Sequence, residues 1–376
     1  MDYNVVGKTL REGMRMRVVV GMSGGVDSSV AALLMKRAGH EVIGVFMKNW
    51  EEKDESGVCT SERDWADARA VCEKLDIPYY SVNFARQYWD RVFEHFLEEY
   101  RRGRTPNPDV LCNREIKFNV FLDFAEQLGA DKLVTGHFAN IDQAEGEYRL
   151  LRAADENKDQ TYFLYMLGQR ALSKAMFPVG GLLKGEVRQI AREAGLPVSE
   201  KKDSTGVCFI GERNFKQFLS TYLPAMPGDM VTTDGRVVGR HDGLMYYTLG
   251  QRRGLGIGGG GNGQRWFVVG KDLGRNELVV HQGEDESLLY SPGAVGSEVT
   301  WLAGHPPVAE GEPLECQVRL RHRQPLQDCR LTLADGVAHM AFAQPQRAVT
   351  PGQSAVFYRG QVCLGGAIVD GPEAQN

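Results

Sequence analysis

Apolar and polar positions follow two different periods in the first half of the chain. Short apolar runs predict buried strands, and longer segments whose apolar residues recur every three or four positions predict helices. The predicted strands cover residues 17–21, 41–47, 77–84 and 132–136, and the predicted helices cover residues 28–38, 61–75, 87–102 and 115–128. This alternation predicts an α/β fold: a doubly wound parallel sheet whose ligand site lies at the carboxyl ends of the strands.

The pattern changes after about residue 211. Short apolar segments separated by turns at residues 227–228 and 234–235 predict a small central domain, and the period of two in residues 314–321 predicts a C-terminal β-barrel. We therefore expect three domains: an α/β domain (residues 1–211), a small central domain (residues 212–294) and a β-barrel (residues 295–376).

Composition and charge narrow the class of protein. No segment approaches the roughly 18 consecutive apolar residues of a membrane span, and the first fourteen residues lack the apolar core of a signal peptide, so we expect a cytoplasmic protein with no membrane partner. A net charge of -5 argues against a general coat for nucleic acid. Arg319, Arg321 and Arg323 are nevertheless predicted to share one face of a strand, where they would suit phosphate contacts.

The seven cysteines are scattered, and no CxxC pair occurs among them. This spacing disfavours a structural zinc or iron–sulfur site, and we expect no protein-held metal cluster. Most of these thiols are expected to be buried and inert, so a reactive cysteine has to be identified from its surroundings.

A glycine-rich turn between the first strand and the first helix has the parts needed to hold a polyphosphate. Adjacent glycines let backbone N–H groups approach an anion, two hydroxyls add donors, and the helix N-terminus supplies partial positive charge. The turn differs from a Walker A loop, because no Gly-Lys-Ser/Thr follows it. Its residues are Gly21, Met22, Ser23, Gly24, Gly25, Val26, Asp27 and Ser28.

A second segment, Thr105 to Asn113, places two prolines before Cys112. We expect Cys112 to begin a helix, whose N-terminus would lower the pKa of the thiol and favour the thiolate. Asp109 could reach the same site as an acid or base, or it could cap the helix.

A third segment surrounds Cys208 with serine, threonine and glycine, shortly after Lys201 and Lys202. The two lysines are expected to favour a thiolate or a persulfide at Cys208. Cys112 and Cys208 lie far apart in the sequence, so their meeting in space is a hypothesis.

Several strings in order make the chain similar to the bacterial tRNA-specific 2-thiouridylases, from residue 17 to about residue 369. The strings are GMSGGVDSS, FMKNW, GRTPNPDVLCN, EIKF, TGH, KDQTYFLY, KKDSTGVCFIGER, YYTLGQRRGLGIGG and TPGQSAVFY. The first string resembles the PP-loop of ATP pyrophosphatases, which cleave ATP to AMP and pyrophosphate.

The resemblance implies a reaction. ATP, with Mg²⁺, would adenylate the C2 carbonyl oxygen of uridine 34 in the anticodon of a tRNA. Cys208 would carry a persulfide received from a sulfur-relay protein or a cysteine desulfurase, and its terminal sulfur would end on C2. Cys112 would act as a nucleophile that forms a disulfide with Cys208, either during the transfer or by liberating sulfide.

The resemblance also implies binding residues. Residues 21–28 would grip the pyrophosphate, Met47 and Gly136 would contact the adenosine, and Asn107, Pro108 and Asp109 would contact the flipped-out base. The residues implied to contact tRNA are His137, Lys158, Asp159, Gln160, Arg321, His322 and Gln353.

Three other kinds of protein remain alternatives. Another PP-loop synthetase would capture ammonia or an amine and would need no cysteine pair, whereas an iron–sulfur tRNA thiolase usually shows CxxC. A non-catalytic ATP- or RNA-binding module would not need Asp27, Ser28, Cys112 and Cys208, all of which are present.

Overall fold

The computed structural model describes residues 15–50, 60–203, 215–257, 264–283 and 286–373. Three parts follow one another: an α/β domain, a small central domain and a C-terminal β-barrel. None of the helices in these ranges is both long and apolar enough to cross a membrane.

The α/β domain contains a five-stranded parallel sheet in the order β3-β2-β1-β4-β7, so the predicted doubly wound sheet is confirmed. The strands of this part are β1 (Arg17–Met22), β2 (Glu41–Lys48), β3 (Tyr79–Asn83), β4 (Lys132–Val134), β5 (Asn140–Ala144), β6 (Glu147–Leu151) and β7 (Ala175–Met176). The helices described along the whole chain are α1 (Val26–Arg37), α2 (Thr60–Leu75), α3 (Ala85–Tyr88), α4 (Glu94–Arg101), α5 (Pro108–Leu111), α6 (Phe121–Gln127), α7 (Gln169–Lys174), α8 (Lys184–Glu193) and α9 (Phe215–Tyr222).

Alternate residues of the central strand pack against helices on opposite faces of the sheet. Val18 and Val20 are fully buried with α1, α2 and α8, and Val19 is fully buried on the other face with the helices of residues 85–127. An apolar residue at every position of such a strand is what burial on both faces requires.

Two helical runs cover the second face, and each contains a π-helical segment. The segment Trp89–Phe93 joins α3 to α4, and the segment Cys112–Val120 joins α5 to α6. π-Helical turns are often found at functional sites, and the second of these begins at a candidate nucleophile.

The central domain is a four-stranded sheet in the order β10-β11-β8-β9, preceded by α9. Its strands are β8 (Gly228–Thr232), β9 (Val237–His241), β10 (Trp266–Asp272) and β11 (Glu277–Gln282). Helix α9 returns to the α/β domain, where Tyr222 packs against Phe93 at 4.9 Å between ring centroids.

The C-terminal part is a closed six-stranded antiparallel barrel, as the period of two predicts. Its strands are β12 (Tyr290–Trp301), β13 (Pro313–Arg319), β14 (Gln327–Ala334), β15 (Val337–Arg347), β16 (Ser354–Arg359) and β17 (Val362–Pro372), and pairing of β12 with β17 closes it. The hairpin β5-β6 of the first part extends this sheet, because Leu150 pairs with Cys363. The sequence patterns did not predict that hairpin.

A buried ion pair joins the α/β domain to the barrel. The Arg319 guanidinium lies 2.8 Å from Asp159 Oδ2, and the two side chains are 4% and 0% exposed. Asp159 also accepts hydrogen bonds from the Ala153 N–H and from the Thr161 hydroxyl, which lies 3.1 Å from the Tyr358 hydroxyl. The prediction that Arg319 shares a phosphate-binding face with Arg321 and Arg323 is therefore wrong: β13 ends at Arg319, whose charge is neutralised inside the protein.

Replacement of Asp159 by asparagine should destabilise the protein by about 3 to 5 kcal/mol, because it leaves the Arg319 charge buried without its partner. Urea unfolding followed by fluorescence would measure the change. Glu315→Gln is the matched control, since it breaks an exposed pair with Arg330 on the same barrel and should leave the unfolding curve in place. Equal stability of the Asp159→Asn and Glu315→Gln variants would contradict the prediction.

Candidate active site

The glycine-rich turn lies where the order of the parallel sheet reverses. It connects β1 to α1, and the next strand on one side is β2 while the next on the other side is β4. Ligands of doubly wound sheets bind in the crevice outside such a switch point.

The conformation of the turn depends on its glycines. Gly24 has φ +72°, and a Cβ there would clash with the Asp64 carbonyl oxygen. Gly25 caps α1, and the Ser28 hydroxyl accepts a hydrogen bond from the Ser23 N–H (3.2 Å). A helix N-terminus capped by glycine presents its backbone N–H groups to an anion.

Three positions predicted for the nucleotide meet beside this turn. A Cβ on Gly136 would lie 2.5 Å from the Ser28 nitrogen, and a Cβ on Gly21 would lie 3.8 Å from Met47 Cε. The absence of a side chain at Gly136 therefore lets the turn approach the end of β4 closely, and Met47 lies in ordinary contact with Gly21.

Lys184, which the sequence analysis did not single out, holds the acidic residue of the turn. Its Nζ donates to both oxygens of Asp27 (2.7 and 2.8 Å) and lies 2.8 Å from Asp203 Oδ1, with the Lys184 side chain 11% exposed. Burial raises the pKa of Asp27, and Lys184 opposes that change. The helix dipole disfavours a lysine at the first position of a helix, yet Lys184 occupies that position in α8. This unfavourable placement is the feature that could have identified Lys184 as a functional residue.

Three cationic side chains form ion pairs with the Asp203 carboxylate. Lys158 Nζ and an Arg188 guanidinium nitrogen each lie 2.7 Å from its carboxylate, and Lys184 is the third. Burial works against ionisation, but the hydrogen bonds from Lys158 and Lys184 outweigh it and lower the pKa of Asp203 to about 2. This carboxylate is ionised at neutral pH and ties the chain just before residue 204 to the nucleotide turn.

The ammonium of Lys201, whose charge is predicted to favour a thiolate or a persulfide at Cys208, bonds to the glycine-rich turn and to α2. It donates to the Gly24 carbonyl (3.0 Å), to Asp64 (2.8 Å) and to Asp67 (2.5 Å). Lys201 therefore fastens the glycine-rich turn to α2. Cys208 itself lies outside the described residues, as does all of the segment 204–214.

The helix that carries Cys112 begins four residues earlier than predicted. Asn107 is its N-cap and accepts a hydrogen bond from the Asp109 N–H (3.2 Å), with Pro108 at the first position. Cys112 lies beyond the first turn and is 1% exposed. The prediction that the N-terminus of this helix favours the thiolate of Cys112 is therefore wrong, because the helix dipole acts mainly within the first turn.

Asp109 lies within the electrostatic influence of Lys117, which contacts His137. Burial raises the pKa of Asp109, and the positive charge of Lys117 lowers it. Lys117 Nζ lies 3.4 Å from His137 Nε2, and His137 Nδ1 lies 2.7 Å from the Thr135 hydroxyl. Burial and Lys117 lower the pKa of His137 well below its usual value, so His137 is neutral at pH 7. A carboxyl of raised pKa beside an ammonium can donate or accept a proton.

The residues expected to contact tRNA occupy different environments. Asp159 has its side chain buried with Arg319, and His137 is 9% exposed. Gln160 accepts from the Phe138 N–H (2.8 Å), and His322 lies 3.0 Å from the Asp159 carbonyl oxygen. Lys158 and His322 line a cleft of about 610 Å³ between the α/β domain and the barrel.

Two further residues of that set lie on the barrel. Arg321 is exposed and donates to the Ala348 carbonyl oxygen (3.0 Å). Gln353 donates to the Thr105 carbonyl oxygen (2.6 Å), which places it against the loop that precedes Cys112.

Comparison with known proteins identifies the family to which each part of the chain is similar. Residues 16–212 match the tRNA methyl transferase HUP domain, residues 216–282 the tRNA methyl transferase PRC-barrel domain, and residues 293–369 the aminomethyltransferase beta-barrel domain. The tRNA-specific 2-thiouridylase MnmA of Alkaliphilus oremlandii is 60% identical over 355 residues, which cover 94% of this chain and 97% of the relative. The protein of the same name from Bacillus subtilis is 57% identical over 357 residues, with coverages of 94% and 95%.

The chain belongs to the tRNA-specific 2-thiouridylase family. Among solved structures, the U34-tRNA thiolase NcsA from Methanococcus maripaludis with its [4Fe-4S] cluster is 19% identical, with a TM-score of 0.36 over 57% of this chain and 69% of that one. That likeness is too low to support any inference. Family membership decides between the alternatives left by the sequence: the chain is placed with 2-thiouridylases rather than with amide-forming synthetases or with binding modules.

Lys184→Met should weaken ATP binding by this 2-thiouridylase about tenfold or more, because the unpaired Asp27 carboxylate would repel the phosphates. Isothermal titration with ATP measures the dissociation constant. Lys74→Met, which removes a lysine from the last turn of α2, is the control and should bind ATP like the wild type. Unchanged affinity in the Lys184 variant would show that this ammonium does not serve the nucleotide site.

Proposed function

We propose that this chain is an ATP-dependent tRNA 2-thiouridylase, a sulfurtransferase. ATP activates the C2 carbonyl of uridine 34 in a tRNA anticodon, and sulfur from a cysteine persulfide replaces the oxygen. The products are 2-thiouridine, AMP and pyrophosphate. A sulfur-relay protein or a cysteine desulfurase supplies the persulfide.

One observation supports the proposal: consecutive helical segments from Pro108 to Gln127 lead from the candidate nucleophile to the nucleotide turn. Its first turns carry Asp109 and Cys112, and further along Lys117 lies 3.4 Å from His137 Nε2. The ring of Phe121 lies 3.1 Å from where a Cβ of Gly21 would stand, at the start of the nucleotide turn. This run, which kinks at Phe118, connects a candidate nucleophile to the nucleotide turn.

The turn supplies the phosphate end of the site. Residues 21–28 grip the pyrophosphate through backbone N–H groups and the N-terminus of α1, while Met47 and Gly136 face the adenosine. In the first step the uridine O2 attacks the α-phosphorus of ATP, and pyrophosphate leaves. Asn107, Pro108 and Asp109 hold the flipped-out base, and Asp109 exchanges a proton with it.

Mg²⁺ accompanies ATP in this proposal. The described residues contain no group of three or more His, Cys, Asp or Glu side chains that could hold a metal by themselves. Mg²⁺ commonly binds through one or two carboxylates and phosphate oxygens, so Asp27 together with the nucleotide fits it. When bound, it neutralises charge on the phosphates.

Sulfur transfer uses Cys112 and Cys208. The terminal sulfur of the Cys208 persulfide bonds to C2 and AMP leaves, after which the Cys112 thiolate attacks the Cys208 sulfur. A Cys112–Cys208 disulfide forms, the former persulfide bond breaks, and the thiocarbonyl remains on the base. In the alternative route Cys112 first liberates hydrosulfide, which then attacks C2. Both routes leave a disulfide that a thiol reductant must reduce.

Cys112→Ser and Cys208→Ser should each abolish 2-thiouridine formation and leave ATP binding intact, because serine can neither carry nor resolve a persulfide. Mass spectrometry of nucleosides, after incubation of unmodified tRNA with protein, ATP and a persulfide donor, measures the product. Cys316→Ser, in the barrel, is the matched control and should remain active. Full activity of either of the first two variants would refute the two-cysteine scheme.

Binding of tRNA should weaken as salt rises, since the cationic side chains of Lys158 and Arg321 are proposed to contact a phosphate-rich ligand. Arg321→Met should reduce the slope of log affinity against log salt by about one. Filter binding at several salt concentrations measures the slope, and Arg275→Met, an exposed arginine of the central domain, is the control. A salt-independent affinity would count against this interface.

A further inference from the structure

Three residues immediately before the proposed base-binding loop, Gly103, Arg104 and Thr105, are contacted by all three parts of the molecule. The first set of contacts comes from their own helix. The Gly103 N–H donates to the Tyr100 carbonyl (3.0 Å), and the Arg104 N–H donates to the Glu99 carbonyl (2.9 Å). These bonds end α4 and fix where the loop leaves it.

The central domain supplies the second set. Lys271 Nζ on β10 donates to the Gly103 carbonyl oxygen (3.1 Å). Gly103 has φ +72°, and a Cβ there would lie 2.6 Å from Leu273 Cδ2. The tip of the β10-β11 hairpin therefore rests on a position whose positive φ favours glycine.

The barrel supplies the third set. The Thr105 N–H donates to the Pro351 carbonyl (2.8 Å), and the Thr105 carbonyl accepts from Gln353 Nε2 (2.6 Å). Gly352 has φ +89°, and a Cβ there would lie 2.9 Å from the Thr105 nitrogen. The turn that precedes β16 is thus fitted to the backbone of the loop.

Arg104 joins these contacts through its side chain. Its Nε lies 2.7 Å from Glu99 Oε2 within the α/β domain, an ion pair outside hydrogen-bond geometry, and its NH1 donates to Asp370 Oδ1 (2.9 Å) on the barrel. Glu99 is buried, and Asp370 is itself held by the Ser297 hydroxyl (3.0 Å). A planar guanidinium can bridge two carboxylates in this way, whereas an ammonium on a flexible stem cannot keep both contacts in fixed directions.

We propose that Arg104 is a positioning residue for the sulfur-transfer reaction: its bridge from Glu99 to Asp370 sets the register of the loop that presents Asp109 and Cys112. The inference rests on the proposed function. It assigns Gln353 a role in the same support, through the Thr105 carbonyl, in addition to any contact with tRNA. Arg104 touches neither substrate nor nucleotide in this proposal and acts through the loop.

Two conservative variants test the bridge without leaving the buried Glu99 charge unpaired. Arg104→Lys keeps a cation beside Glu99 but cannot hold both carboxylates, and Asp370→Asn removes the charge on the barrel side. Each should lower kcat for 2-thiouridine formation about tenfold or more, because small displacements of reacting groups are costly. The KM for ATP should stay within about twofold, since the nucleotide turn is untouched.

A second measurement does not require turnover. Cys112 is buried, and loosening of the loop should raise its rate of alkylation by iodoacetamide, followed by peptide mass spectrometry at Cys112. Arg101→Lys, whose side chain is exposed and pairs with Glu98 on the same helix, is the matched control for both measurements. It should match the wild type in kcat and in alkylation.

The outcomes separate the two proposals. If Arg104→Lys and Asp370→Asn keep kcat and Cys112 alkylation within about twofold of Arg101→Lys, the positioning role is overturned. It is also overturned if kcat falls only in proportion to a rise in the KM for ATP or to a loss of folded protein measured by melting temperature. If wild-type protein forms no 2-thiouridine, the proposed function fails, while the alkylation rates still decide the role of Arg104.

Discussion

The buried pair between Asp159 and Arg319 is the interaction on which the arrangement of the domains depends. A carboxylate and a guanidinium removed from water are tolerated when each is paired and hydrogen-bonded, and Asp159 has the Thr161 hydroxyl and the Ala153 N–H in addition to Arg319. The pair fixes the direction from which the barrel meets the α/β domain. The hairpin β5-β6 extends the same junction by pairing with β17.

That junction determines where the chemistry can occur. Because the barrel is held against the α/β domain, its turn at residues 350–353 reaches the loop before Asp109 and Cys112. The helical run that follows the loop extends back to the nucleotide turn, where Phe121 meets Gly21. A loop supported at both ends can hold a target base and a thiol in a defined relation to the phosphates, which is what adenylation followed by sulfur transfer requires.

The charged side chains around the nucleotide turn are paired with one another. Asp27 and Asp203 share Lys184, and Lys201 fastens Gly24 to the carboxylates of α2. These pairs hold the turn in one conformation before a ligand binds, so little reorganisation is needed. The net charge of the chain, -5, gives no hint of this local arrangement, because the lysines are balanced by neighbouring carboxylates.

The sequence by itself determined the covered parallel sheet, the C-terminal β-barrel and the chemistry of the turn. Apolar runs such as residues 17–21 must be buried on two faces, which specifies a covered parallel sheet, and the glycine, serine and aspartate string leaves few uses besides phosphate binding. Tertiary structure alone decided that Arg319 turns inward, that Cys112 lies beyond the first turn of its helix, and that Lys184 meets Asp27 across 157 positions of chain. Local pattern reports which residues prefer burial or a turn, but the partner of a charge is set by long-range packing.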